Sequence, residues 1–313
     1  MLSSPGIFCP EQVEINELIA AFDIDILRSV LPEHWDEHFN RIQYLEQHAQ
    51  RMLEDETYLP SHRAKVACLL AVAAWGYSAK FRMLGTEQAD TYLMQAQALA
   101  NKDDALTQGF LSYVDSTVRR SENQFEDAFN AAKAAELYFN RMPGFSAAAK
   151  AHVLNQQGVA LVNQQKADEA IIVLRIALTL EENTPHEHWV AKLICVGEGG
   201  HPTLRANKQL ARAYLAKGDH DAALSAIQVV LQGLDKERRP IDYAYNLTVK
   251  GTILKAQSEF SEALKVLLLA DELYRTHCPD PHPNHMKTRE VMREVEKALS
   301  ESVKSMTAQL SNI

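Results

Sequence analysis

Four small residues spaced along the chain constrain its fold more than any other feature. Ser116, Gly158, Ala211 and Gly251 each have an alanine twelve residues later, at Ala128, Ala170, Ala223 and Ala263, and a further apolar residue seven beyond that, at Ala135, Ala177, Val230 and Ala270. The stretch from Leu204 to Lys236 is the best-formed example of what lies around such a set. Leu204, Leu210, Ala211 and Tyr214 make one apolar stripe at helical spacing, Gly218 and Asp219 supply a turn, and Ala222, Ala223, Ile227, Val230 and Leu231 make a second stripe. Two helices packed this way cannot bury their whole apolar faces on each other, so each pair needs a neighbour of the same kind on either side.

The neighbours are present. Lys65 to Arg82 pairs with Glu87 to about Asn101, Thr107 to Arg119 with Phe125 to Arg141, Ala147 to Val162 with Ala167 to Glu181, and Ile241 to Ala256 with Phe260 to Arg275. Successive markers stand 42, 53 and 40 residues apart. These steps exceed the roughly 34 residues of a minimal helical-pair repeat, so the excess falls in loops between pairs, most of it in Thr184 to Pro202. Ahead of the array, a helix from Glu11 to Val30 is broken by Pro32, and a second runs from Glu33 to Glu54 before a turn at Leu59, Pro60 and Ser61. Beyond it, Met286, Val291, Val295, Leu299 and Val303 mark one terminal helix, with Arg293 where a pair would place its small residue. The expected organisation is an N-terminal helical pair in residues 1–60, an array of about five pairs in 61–281 with an inserted loop at 184–203, and a capping helix and tail in 282–313.

Composition fits a globular chain, at 46% hydrophobic and 23% charged residues over 313. A net charge of −9 speaks against a nucleic-acid binder, whose affinity comes from clustered cations on phosphates. Cys9, Cys68, Cys195 and Cys278 are far apart and form no C-x-x-C pair, which signals reduced thiols. The first residues lack a charged segment followed by an apolar run, and no window approaches the roughly 18 apolar residues of a membrane span. The expected setting is cytoplasmic, or export by a route that uses no cleaved signal, with no membrane span and no cofactor.

A small residue, then Ala twelve on, a large apolar residue sixteen on and Ala nineteen on resembles the tetratricopeptide repeat, from about Lys65 to Arg275. Two loops, His201-Pro202-Thr203-Leu204 and Pro281-His282-Pro283-Asn284, are similar to the His-Pro that precedes the first helix of the longer repeats of kinesin light chains and their bacterial relatives. The resemblance implies an all-α, right-handed superhelix whose first helices line a concave surface. Carried over position by position, that surface would present Phe110, Tyr113, Thr117 and Arg120, then His152, Asn155, Gln156, Val159 and Asn163. Arg205, Lys208, Gln209, Arg212 and Leu215 follow, and then Tyr245, Thr248, Thr252 and Lys255.

Few residues offer chemistry of another kind. His34, Glu37 and His38 match H-x-x-E-H, in which two histidines one turn apart ligate zinc and the glutamate serves as base, although acidic residues after Pro32 are also ordinary for a helix start. His277, Cys278, His282 and His285 crowd a Pro-rich linker at no standard ligand spacing. Gly197 to Gly200 lacks the strand and the following Lys-Ser/Thr of a phosphate loop.

The sequence therefore points to a non-enzymatic scaffold or adaptor that binds a protein or peptide, with Asn155, Arg205, Lys208, Arg212, Lys255, Tyr113 and Tyr245 as contacts. A basic centre on an acidic chain suits a partner with an acidic segment or a terminal carboxylate. Two other classes remain: a regulator whose repeats sense a peptide while the N-terminal helices touch an effector, and a metal-dependent hydrolase through His34, Glu37 and His38.

Overall fold

The computed structural model describes residues 47–81, 86–142, 147–182, 202–278 and 282–310, and among them every regular element is an α-helix. Helical residues 47–54 are followed by α1 (Pro60–Phe81), α2 (Thr86–Leu99), α3 (Ala105–Ser121), α4 (Phe125–Phe139), α5 (Ala147–Asn163) and α6 (Ala167–Glu182). Then come α7 (Pro202–Lys217), α8 (His220–Gly233), α9 (Pro240–Ala256), α10 (Phe260–His277) and α11 (Pro283–Leu310). The described residues fall into two compact units. One holds residues 47–142 and the first three of α5, and the other holds α5 from Lys150 onward together with α6 to α11.

Local chemistry sets the helix boundaries. Asp104 caps α3, its carboxylate accepting from the backbone N–H of Leu106 and Thr107, and Asp219 caps α8 by accepting from Ala222 N–H. Pro60, Pro202, Pro240 and Pro283 each begin a helix, where a missing N–H costs nothing and the fixed φ suits the first turn. This corrects the expected turn at Leu59, Pro60 and Ser61: the proline opens α1 instead of separating two elements.

Four pairs share one turn. Asn123, Gln165, Gly218 and Ser258 each lie seven residues after their marker, and all four have left-handed backbone, with φ of 63°, 63°, 83° and 64°. Around each, the next residue's N–H reaches back five positions, as from Gln124 to Arg119 O and from Glu259 to Leu254 O, each 2.9 Å. This is the Schellman closure, which satisfies the last carbonyls of the first helix and fixes the angle at which the second leaves.

The markers are the points where helices touch. Ser116 Oγ donates to Ala128 O at 2.7 Å, so the step of twelve is a direct hydrogen bond in this pair. Gly158 faces Leu174 and Gly251 faces Leu267, sixteen residues on in both cases, and both leucines are fully buried. At the opposite end of a pair the bulk can sit on either helix. Gly109 of α3 receives the ring of Phe139 from α4, whereas in the α7–α8 pair Leu204 is the large residue and Gly233 the small one. Total volume at the contact is what packing selects.

One pair departs from the pattern. Three residues after their markers stand Leu161, Tyr214 and Leu254, but Arg119 takes that place in α3. Its guanidinium bonds Asp90 at 2.7 Å, Glu122 at 2.9 Å and Asp115 at 3.0 Å, so an ionic cluster replaces an apolar knob. Burial pushes the Asp115 carboxyl above the ordinary range, with Arg119 pulling the other way.

In the second unit α11 closes the array. Val291 and Val295 pack against Leu254, Ala263 and Leu267, and polar contacts fix the register. Thr248 and Thr288 share a buried hydrogen bond of 2.8 Å, and Asp271 holds both His285, at 2.7 Å, and Arg289, at 3.1 Å. Burial would raise the Asp271 carboxyl, but these two donors outweigh it and hold it below its usual value.

Candidate functional site

The expected binding surface in the second unit runs over the first helices α5, α7 and α9. Neither α5 nor α7 contains a single Asp or Glu, although the chain carries 41 of them. The two helices instead supply Lys150, Arg205, Lys208, Arg212 and Lys217. Helices free of acids in an acidic chain concentrate positive potential on one face, and the amide-rich segment Asn155, Gln156 and Gln157 adds neutral hydrogen-bonding groups.

The side chains meet in a ladder from one pair to the next. Arg205 Nη1 lies 3.0 Å from His152 Nδ1. A guanidinium has only donors, so the ring nitrogen accepts and the imidazole proton belongs on Nε2. Lys208 Nζ stands 5.7 Å above the ring centre of Tyr245, a cation–π contact between α7 and α9. Arg212 donates from Nη2 to Asn163 Oδ1 and from Nη1 to Gln209 Oε1, both at 2.8 Å. Lys255 Nζ donates to Glu294 Oε2 of α11 at 2.6 Å, which holds that glutamate below its usual value. On the far side of α7, Lys217 pairs with Asp168 and Arg175 donates to the Tyr214 hydroxyl.

Burial divides the expected contacts. An open groove would leave its lining in solvent, but every residue from Ala151 to Val162 is buried. Asn155 is 0% exposed, His152 1% and Arg205 5%. Tyr113, at 2%, is buried within the first unit. These residues are enclosed in this structure and offer no open surface. Lys208, Arg212, Tyr245 and Lys255 are partly exposed, and they are the members of the expected set that a ligand can reach here.

Asn163 and Gln209 lie on the expected face, but their hold on Arg212 was not expected. Gln209 stands three residues before Arg212 on one helix, a spacing that brings side chains together. The Asn163 contact depends on the offset between pairs, which the intervening loop hides.

The other candidates separate clearly. His34, Glu37 and His38, the segment Gly197 to Gly200 and the loop 184–201 lie outside the described residues. Among the described residues no group of three or more His, Cys, Asp or Glu is placed to hold a metal ion. His282 and His285 stack on the ring of Tyr274, with ring centres 5.6 and 5.4 Å away, and His285 is committed to Asp271. Cys68 is a free, fully buried thiol whose ionisation burial opposes, so it is a poor nucleophile. No described helix is long and apolar enough to cross a membrane.

No protein-family model matches the chain, and no curated protein matches it. Solved structures do. A Rap protein in complex with Competence and Sporulation Factor aligns over 95% of this chain and 74% of its own, with a TM-score of 0.67 and 14% identity. The apo form of RapI aligns over the same shares with a TM-score of 0.58 and 12% identity. BtubC (BKLC) from P. vanneervenii aligns over 88% of this chain and 96% of its own, with a TM-score of 0.53 and 13% identity. At such identities the likeness is one of fold.

Proposed function

The chain has the tetratricopeptide-repeat type of fold, and on that premise we propose that it is a binding module for a protein or peptide, a scaffold or adaptor without catalytic chemistry of its own. The ligand lies along the face made by α7 and α9 in the second unit. One observation carries this reading above the rest: two successive first helices without an acidic residue, in a chain of net charge −9. Of the two, α7 carries the partly exposed cations, and α9 beside it has a single acid, Asp242, already paired with Arg239. The face they make attracts an acidic segment or a terminal carboxylate, with Lys208 and Arg212 as the reachable cations and Tyr245 beside them. Lys255 belongs to the same face but is already closed by Glu294. Asn155 and Arg205 support the face from beneath.

Charge reversal tests the proposal. Lys208→Glu combined with Arg212→Glu, at two partly exposed positions, is expected to abolish capture of the partner and leave thermal stability nearly unchanged. A partner retained by the double variant would refute the binding face.

A second reading has one observation in its favour. The Rap protein bound to Competence and Sporulation Factor aligns with 95% of this chain, more than its repeats alone. The chain would then be a ligand-responsive regulator whose N-terminal residues contact an effector. Removal of residues 1–60 separates the two, since a simple binding module keeps its partner and a regulator loses its effector.

A further inference from the structure

We propose that Asn163 and Gln209 are positioning residues that hold Arg212 as a preset receptor for a carboxylate, an inference that rests on the binding face described above. Three cations of the second unit are closed by acids at other positions: Lys217 by Asp168, Arg239 by Asp242 and Lys255 by Glu294. Arg212 is held differently. Its two hydrogen bonds go to the amide oxygens of Asn163 and Gln209, and among the described residues it makes no ion pair. Neutral acceptors fix the guanidinium without cancelling its charge.

Two of the five N–H groups of a guanidinium are thereby spent and three are left. The planar fork is pinned from α5 and from α7, so the side chain has already lost the freedom that a ligand would otherwise have to remove. Partial exposure leaves it reachable. A planar carboxylate matches the remaining donors, and it can come from an Asp or Glu side chain or from a chain terminus.

Asn163 is the discriminating position. Asn163→Asp keeps the shape of the contact but supplies an internal carboxylate, so Arg212 is closed as Lys217, Arg239 and Lys255 are. The probes are fluorescein-labelled peptides read by anisotropy at low salt: hexaglutamate with an amidated C-terminus, hexaglutamine with a free C-terminus, and hexaglutamine with an amidated one. The wild-type chain is expected to bind at least one of the first two and not the third, and which of them binds identifies the source of the carboxylate. Asn163→Asp is expected to melt no lower than wild type and to weaken binding roughly tenfold, the scale of one charge-assisted hydrogen bond. Asn163→Leu and Gln209→Leu are expected to weaken it in the same direction while Arg212 remains. Unchanged binding in the Asn163→Asp and Gln209→Leu variants, with loss in Arg212→Gln, would overturn the positioning role and leave the binding face standing. Failure of the wild-type chain to bind either carboxylate peptide would overturn both.

Discussion

Gly158 and Leu174 occupy one space: a Cβ built on the glycine would come within 2.5 Å of Leu174 Cγ, and that leucine is fully buried. Gly158→Ala is therefore expected to destabilise the second unit by about 1–3 kcal/mol through overpacking. Leu174→Ala alone leaves a cavity, but in combination with Gly158→Ala the two defects offset each other. Urea denaturation of the single and double variants is expected to show a cost for the pair well below the sum of the singles. An additive result would mean that the helices do not meet at this point.

The shared left-handed turn makes a prediction about backbone alone. Gln165→Gly and Ser258→Gly remove a side chain from a conformation that glycine adopts freely, and each is expected to stabilise by about 1 kcal/mol. Gly218→Ala should do the reverse, even though an added Cβ would meet nothing within 4 Å. Thermal melts of the three variants check the sign, which contact counting alone would miss.

Arg119 yields a pH-dependent prediction. Arg119→Leu restores the apolar residue found at this place in the other three pairs, yet it is expected to destabilise the first unit at neutral pH. It leaves Asp90, Asp115 and Glu122 together without their cation. Burial raises the Asp115 and Glu122 carboxyls in the folded state, so ionising them disfavours folding once pH exceeds their ordinary values of about 4. The cost of Arg119→Leu should therefore be largest near pH 7 and shrink as pH falls toward 4, as measured by urea midpoints across that range. A cost independent of pH would remove the ionic explanation.

The repeat register was legible because it rests on size. Ser116, Gly158, Ala211 and Gly251 must be small where helices meet, and Ala128, Ala170, Ala223 and Ala263 are all fully buried as that geometry requires. The turn seven residues on was legible only at Gly218, since Asn123, Gln165 and Ser258 do not announce left-handed backbone. The expected face is polar in sequence, but which of its polar residues reach solvent was not legible there. His152, Asn155 and Gln156 look like a solvated stripe in sequence, and helical periodicity cannot distinguish polar residues that face water from polar residues paired inside the fold. Arg119 misleads in the opposite way, as a charge at an apolar position stabilised by partners distant in sequence such as Asp90.

Ligand, on the proposed function, is held on the first-helix face of α7 and α9. Amide hydrogen exchange of the full chain, with and without its captured partner, tests it most directly. New protection is expected along α7 and α9, around Lys208, Arg212 and Tyr245. Protection confined to the outer sides of α6 and α8, around the exposed Ile172, Ile176 and Val229, with α7 and α9 unchanged, would contradict it.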